Sequence, residues 1–476
     1  MRLSLAPDCD RCLAGMKVLW HFPIGPAVAA ILLLLETCAR AASPAPAANL
    51  RLDQPGAQVT SLAYAPAPPD NPLKGFLPYQ NSPGRSTFPH SMSYMCFAMR
   101  DLMTGPINFV WSPIETQIRA ATNEGCHFVF RVYLDFPQKT TGIPQYLLDG
   151  GLATYTYTNY GNSSSVSPNW EDLNLRAAMT NFISGLGRVY DGDPRIGAIE
   201  LGLLGFWGEW HDEGPPFASQ TVQLEVLSAY KAAFQQTKLL VRTANSQNAN
   251  LPFGYHDDSF CMSTLSPYIN GFIVAMTNAG PAALAKWKTS IVGGEVYPSL
   301  WYCLWDSPSC APAAEDFNTC VDTTHASWLM NSGVFSTSSP LTNGALTNAL
   351  AGARRLGYEF QVISLSTWTN NTSLMADVRL KNTGVAPFYY DWPIELAAAT
   401  SSGQILSKWP TPWVISGILP GDLPRDLTMP LTNRPGTNFT LLMRVVNPLP
   451  SGKPLRFANS YQDATLPGWL TLGSIP

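Results

Sequence analysis

The chain has 476 residues, of which 13% are charged, with 41 prolines, 36 glycines, 14 tryptophans, 18 tyrosines and a formal charge of −4. That length exceeds what one hydrophobic core organises, so two domains are expected. The small negative charge offers no basic patch and argues against nucleic acid as a partner, and the composition is that of a loop-rich extracytoplasmic protein.

Residues 1–41 read as a targeting signal. Met16-Lys17 opens a basic region, Ala27 to Leu35 is a short apolar run, and Ala39-Arg40-Ala41 is a small-residue cleavage site before Ala42. A start at Met16 gives a more ordinary signal length than one at Met1. The apolar run is too short to span a membrane, so a secreted, periplasmic or cell-surface protein without an integral membrane segment after cleavage is expected. Cys9, Cys12 and Cys38 fall in this segment. Cys96, Cys126, Cys261, Cys303, Cys310 and Cys320 remain, an even set that permits disulfides. The clustering of Cys303, Cys310 and Cys320 predicts at least one bridge among them. The spacing does not suit zinc, and no metal or cofactor is expected.

Residues 42–70 read as a linker with an edge segment. Asn71 to Tyr79 and Ser93 to Met99 are short strands. Trp111 to Glu124 is a helix, with Ser112 expected as N-cap, Pro113 at the first helical position and Gly125 as terminator. The strand from Cys126 to Phe136 carries Arg131 in an apolar run, with Tyr133 and Asp135 at the same period-2 spacing. A buried arginine needs a partner, either a structural ion pair or a carboxylate or substrate hydroxyl that it holds. Gly150 to Asn169 is a long Tyr-, Asn- and Ser-rich loop, of the kind that walls a groove, and Glu171 to Tyr190 is a helix.

Arg195 to Asp212 begins as a doubly buried strand and ends in Trp207, Glu209, Trp210, His211 and Asp212, thinned by Gly202, Gly205 and Gly208. Two indoles flanking a carboxylate suit a sugar ring. Gln220 to Gln236 is a helix and Lys238 to Ala244 a strand. Phe253 to Phe260 ends in His256, Asp257 and Asp258, of which the two aspartates must point opposite ways. Gly271 to Thr277 fits either a strand or a core insertion. Ser290 to Pro298 repeats the pattern of an apolar strand, paired glycines and a glutamate, here Glu295. His325 to Asn331 carries Trp328. These elements have the rhythm of a (β/α)8 barrel over residues 71–350. From Gly357 the periodicity becomes alternating, which predicts an antiparallel β-sandwich over 357–476.

With these motifs in view the chain resembles the bacterial family called domain of unknown function 4832. The likeness is carried by N-P-L-K-G-F at Asn71, R-V-Y-L-D at Arg131, G-L-L-G-F-W-G-E-W-H at Gly202, G-Y-H-D-D-S-F at Gly254 and G-G-E at Gly293. More distantly the layout is similar to the clan of retaining glycoside hydrolases on the same barrel. There the acid/base glutamate ends the fourth strand and the nucleophile glutamate ends the seventh. That likeness implies Glu209 and Glu295 in those roles, although Gly208 stands where the clan has an asparagine.

The leading expectation is therefore a retaining glycoside hydrolase of a neutral oligo- or polysaccharide. Glu209 and Glu295 would be its catalytic carboxyls, one kept ionised by donors such as Arg131 and the other protonated by burial against Trp207 or Trp210. Arg131, Tyr133, Trp207, Trp210, His211, His256, Asp258 and Trp328 would contact substrate. The alternatives are a non-catalytic carbohydrate-binding or cell-surface protein, and a lyase or inverting hydrolase pairing one glutamate with Asp135 or Asp258.

Overall fold

The structure is a computed structural model that describes residue 54 and residues 56–476, except 269–270, 307–309, 311–313, 371–372 and 437. The expected targeting signal and the first part of the linker lie outside the described residues.

Eight parallel strands follow one another around a barrel in chain order: Gly75–Leu77, Met92–Ala98, His127–Asp135, Ile196–Glu200, Leu239–Val241, Gly254–Phe260, Val292–Val296 and Trp328–Met330. The eighth pairs with the first, Trp328 opposite Gly75. A Tyr79–Tyr94 bridge, with Tyr94 N donating to Pro78 O at 2.9 Å, joins the first to the second. Helices Ser112–Asn123, Leu173–Tyr190, Gln220–Ala233, Phe272–Ala279, Phe317–Thr324 and Asn343–Arg355 pack outside. The first of these starts at Ser112 itself with Trp111 as N-cap, because Pro113 already sits in the first turn. The undecided segment at Phe272 is a helix.

Side chains alternate across each strand, so one parity fills the barrel and the other meets the helices. In the third strand Phe128 and Phe130 join the outer core, while Val129 lies inside with Met92, Tyr94, Ala198, Leu240, Ile291 and Trp328. That inner set is the apolar floor. One step further along the same parity come Arg131, Glu200, Arg242, His256, Asp258 and Glu295. The barrel is thus apolar at the bottom and charged at the C-terminal mouth.

Two four-stranded antiparallel sheets face each other after the barrel. One consists of Gln58–Ser61, Phe360–Asn370, Ser373–Asn382 and Arg425–Leu431. The other consists of Ile405–Val414, Pro393–Ala399, Phe439–Val445 and Leu470–Ile475. The expected edge segment is Gln58–Ser61, which pairs outermost with Phe360–Asn370. The sandwich packs under the barrel. Tyr390 Oη donates to Gly197 O at 2.7 Å, and Asn447 Nδ2 lies 3.3 Å from His127 Nε2, both at strand N-termini. The buried Lys74 ammonium donates to Tyr358 O at 2.8 Å and Arg354 O at 2.9 Å. The opposite face stays open for the charged mouth.

Candidate active site

Arg131 is the hub of the mouth. Its side chain is 5% exposed, with Nη2 2.9 Å from Glu209 Oε1 and Nη1 3.4 Å from Glu200 Oε2 and 3.8 Å from Asp258 Oδ1. Glu200 also accepts from Tyr94 Oη at 2.8 Å. Asp258 is gripped by Arg242 Nε and lies 2.9 Å from His256 Nδ1. Burial alone would raise the Asp258 pKa, but His256 and the two arginines outweigh it and hold the carboxyl far below the usual range. Burial likewise works to lower His256, and Asp258 and Glu200 reverse it, so the imidazole is shifted up.

Glu295 has a different environment. Among the described residues no hydrogen bond or ion pair holds its carboxyl. Burial first, then the neighbouring Glu209 and Asp258 charges, push it well above the ordinary carboxylate range, against a weaker pull from Arg131. Tyr79, at the end of the first strand, is raised too, by burial and then by Glu295. Two glutamates therefore share one mouth in different surroundings: Glu209 is paired with a guanidinium, and Glu295 favours its proton.

Glu209 does not sit on the fourth strand, contrary to expectation. That strand ends at Glu200, and the chain then swings Leu203–Phe206 across to pair with the third strand, Leu203 opposite Tyr133. A tight hairpin follows, with Phe206 N donating to His211 O at 2.8 Å and Glu209 N to Phe206 O at 2.8 Å. Leu203, Trp207 and Trp210 have φ of 71°, 56° and 61°, a left-handed conformation unfavourable for side chains of this size. Strain of this kind clusters at functional sites, where the surrounding structure enforces it. The glycines have a steric reason. A Cβ on Gly202 would lie 2.0 Å from Val132 O, and one on Gly205 (φ 75°) 2.4 Å from His211 O.

The hairpin supplies part of an aromatic wall. The Trp207 ring centroid lies 4.8 Å from Tyr160, 5.7 Å from His211 and 6.4 Å from Phe136. Tyr160 belongs to the long loop after the third strand and is 42% exposed. His211 Nε2 lies 3.5 Å from Glu209 Oε2.

Arg131, Trp207, His211, His256 and Asp258 thus gather around Glu209 and Glu295. Other expected contact residues do not. The Trp210 indole N–H donates to Leu201 O at 2.8 Å and its ring rests on the outer core, so it anchors the hairpin. Trp328 is 1% exposed in the barrel floor, its ring against Gly293. Tyr133 is buried against Phe136, ring centroids 4.9 Å apart. Asp135 is fully enclosed by the hydroxyls of Tyr157, Ser165 and Ser167, away from Arg131. Asp257 points outward to Thr264 Oγ1 at 2.7 Å, as the alternation requires. Glu200, Arg242, Tyr94 and Tyr79 escaped the sequence reading. A signal for Glu200 existed, since a charged residue two positions after Ala198 on a buried strand has the parity of Arg131.

No family model matches the chain, and no curated protein sequence does. Among solved structures it is similar to endo-glycoceramidase II from Rhodococcus sp. in a lactosyl-enzyme intermediate. The two are 10% identical, and the match covers 77% of this chain and 98% of that one at a TM-score of 0.40. It is also similar to an endoglucanase from Pseudomonas stutzeri, 9% identical over 51% of this chain and 72% of that one at a TM-score of 0.28.

Proposed function

We propose that the protein is an exported retaining glycoside hydrolase acting on a neutral oligo- or polysaccharide, and that it belongs with the domain of unknown function 4832 family. The observation that carries the activity is the opposed pair at the mouth: Glu209 ion-paired with Arg131 at 2.9 Å, and Glu295 unpaired and shifted toward its protonated form. In this reading Glu209 is the nucleophile and attacks the anomeric carbon. Glu295 gives its proton to the leaving oxygen, so the glycosidic bond breaks as the glycosyl–Glu209 ester forms. Glu295, now ionised, takes a proton from water, which displaces Glu209 and restores both groups. This reverses the strand order of roles that the clan likeness implies, because the guanidinium sits on the carboxyl that must stay charged. Trp207 and Tyr160 offer ring faces to the C–H face of a sugar.

A panel of glycans and activated aryl glycosides tests the proposal. Glu209→Gln and Glu295→Gln should each lower kcat/KM at least about a thousandfold. With an aryl glycoside and azide, Glu295→Ala should yield a glycosyl azide of retained configuration and Glu209→Ala one of inverted configuration. Activity should fall on the alkaline side as Glu295 loses its proton. Full activity in both Gln variants overturns the two-glutamate mechanism.

A second reading, carbohydrate binding without cleavage, is favoured by Gly208 in place of the clan's asparagine. It predicts that sugar binds the wild type and both Gln variants alike and is never cleaved.

A further inference from the structure

The loop that leaves the sixth strand and the helix before the eighth each carry a cysteine into one apolar cluster outside the barrel strands. Cys261 directly follows Phe260 and Cys320 lies within Phe317–Thr324, and both are fully buried. They belong to one apolar cluster with Phe260, Trp305 and Phe317. Glu315 ties the two segments together: its N–H donates to Cys261 O at 2.7 Å, and its carboxylate accepts from Leu265 N at 3.1 Å and from Cys320 Sγ at 3.6 Å. The neighbouring Cys320 thiol, and then burial, push the Cys261 thiol well above its ordinary value. Both are reduced here, while Cys303 and Cys310 are disulfide-bonded.

We propose that Cys261 and Cys320 form a second disulfide in an oxidising compartment, fixing the end of the sixth strand to the helix that leads into the eighth. The Cys303–Cys310 bridge is a bond of the kind that such a compartment favours. A small disulfide oxidant of the glutathione class completes the step. Cys320 gives its proton to Glu315 and attacks one sulfur of the oxidant, releasing one thiolate and leaving a mixed disulfide. Cys261 then displaces the second thiolate as the Cys261–Cys320 S–S bond forms. The two thiol protons leave on the two thiols produced, so the protein is oxidised by two electrons and the oxidant reduced by two. Since both sulfurs are buried, the exchange runs while the helix docks during folding. The bridge closes a chain loop of about 60 residues, a length at which a crosslink restricts the unfolded chain strongly. It also pins the segment just beyond His256 and Asp258.

The experiment uses the full chain, reduced, unfolded, and refolded with or without a reduced and oxidised glutathione pair. Non-reducing peptide mapping should then show a Cys261–Cys320 peptide pair, lighter by two hydrogens than its reduced form, beside Cys303–Cys310. Wild type should gain roughly 5 °C or more in Tm on oxidation. Cys303→Ser/Cys310→Ser should keep most of that gain, and Cys261→Ser/Cys320→Ser should lose the share due to its own bridge. The map of the wild type decides the matter even if a variant fails to fold. Cys261 and Cys320 both recovered alkylated, or Cys320 joined to Cys303, Cys310 or glutathione, overturns the proposal. None of these readouts depends on glycoside hydrolysis.

Discussion

Arg131 shows how much one side chain can set. Three carboxyls lean on its guanidinium, and the one that does not pair with it, Glu295, is the one left favouring a proton. A second carboxyl group reports on the same region. Asp212 ends the hairpin that carries Glu209, and both its oxygens are buried, with the Trp170 indole N–H and the Phe206 backbone as the nearby donors that only partly offset that burial. Burial first, then Asp135, push Asp212 up to about 7. In the unfolded chain it titrates near the ordinary value of about 3.9. Between roughly pH 4 and 7 the folded protein therefore holds a proton that the unfolded chain has released, and stability falls as pH rises across that window. Asp212→Asn should melt with wild type near pH 4 and several degrees above it near pH 7.5. Thermal melts across that range check it, and parallel curves for the two proteins contradict the assignment.

At the scale of the element, the Leu203–His211 hairpin is what makes Glu209 reach the mouth. It is built on left-handed residues at Leu203, Gly205, Trp207, Gly208 and Trp210, closed by backbone hydrogen bonds and anchored by the Trp210 indole. Gly205→Ala places a Cβ against His211 O in a backbone conformation that alanine disfavours. It should cost about 1–3 kcal/mol of stability and lower activity although it touches no reacting atom. Denaturant melts and faster amide exchange confined to 203–212 read this out, and an unchanged exchange pattern counts against it. The glycines and aromatics of this stretch marked it in the sequence as the organising segment. The turn that carries Glu209 off the fourth strand was not marked, because the run Ile196 to Phe206 is apolar on both sides of Glu200 and reads as one strand.

On the scale of the whole molecule, the sandwich closes the bottom of the barrel and leaves the charged mouth open. Tyr390, Tyr389 and Asn447 reach barrel backbone or side chains, with Tyr389 Oη donating to Trp287 O at 2.7 Å. The buried Lys74 depends on carbonyls at Arg354 and Tyr358, where the barrel hands over to the sandwich. A chain ending at Gly357 loses the Tyr358 acceptor and uncovers the apolar residues that face the sandwich. Such a protein should be insoluble or melt without a cooperative transition, whereas full-length protein should melt in one. Scanning calorimetry distinguishes the two, and a truncated barrel as stable as the full chain contradicts this view of the interface.

The period-2 and helical patterns of the sequence determined the barrel, the sandwich, the shared face of Arg131, Tyr133 and Asp135 and the opposed directions of Asp257 and Asp258, because alternation along a strand is a local property of the backbone. Composition and spacing also located the Cys303–Cys310 bridge within three cysteines. Only the tertiary structure decided which charged groups meet. Glu200 and Arg242 entered the cluster because strands four and five bring them level with Arg131. Trp328 became floor because its register places it below Glu295's layer, and Trp210 became an anchor because its N–H found Leu201 O. Proton affinity likewise belongs to the assembled mouth, since burial and neighbouring charge act on Glu295 through space, across segments remote in the chain.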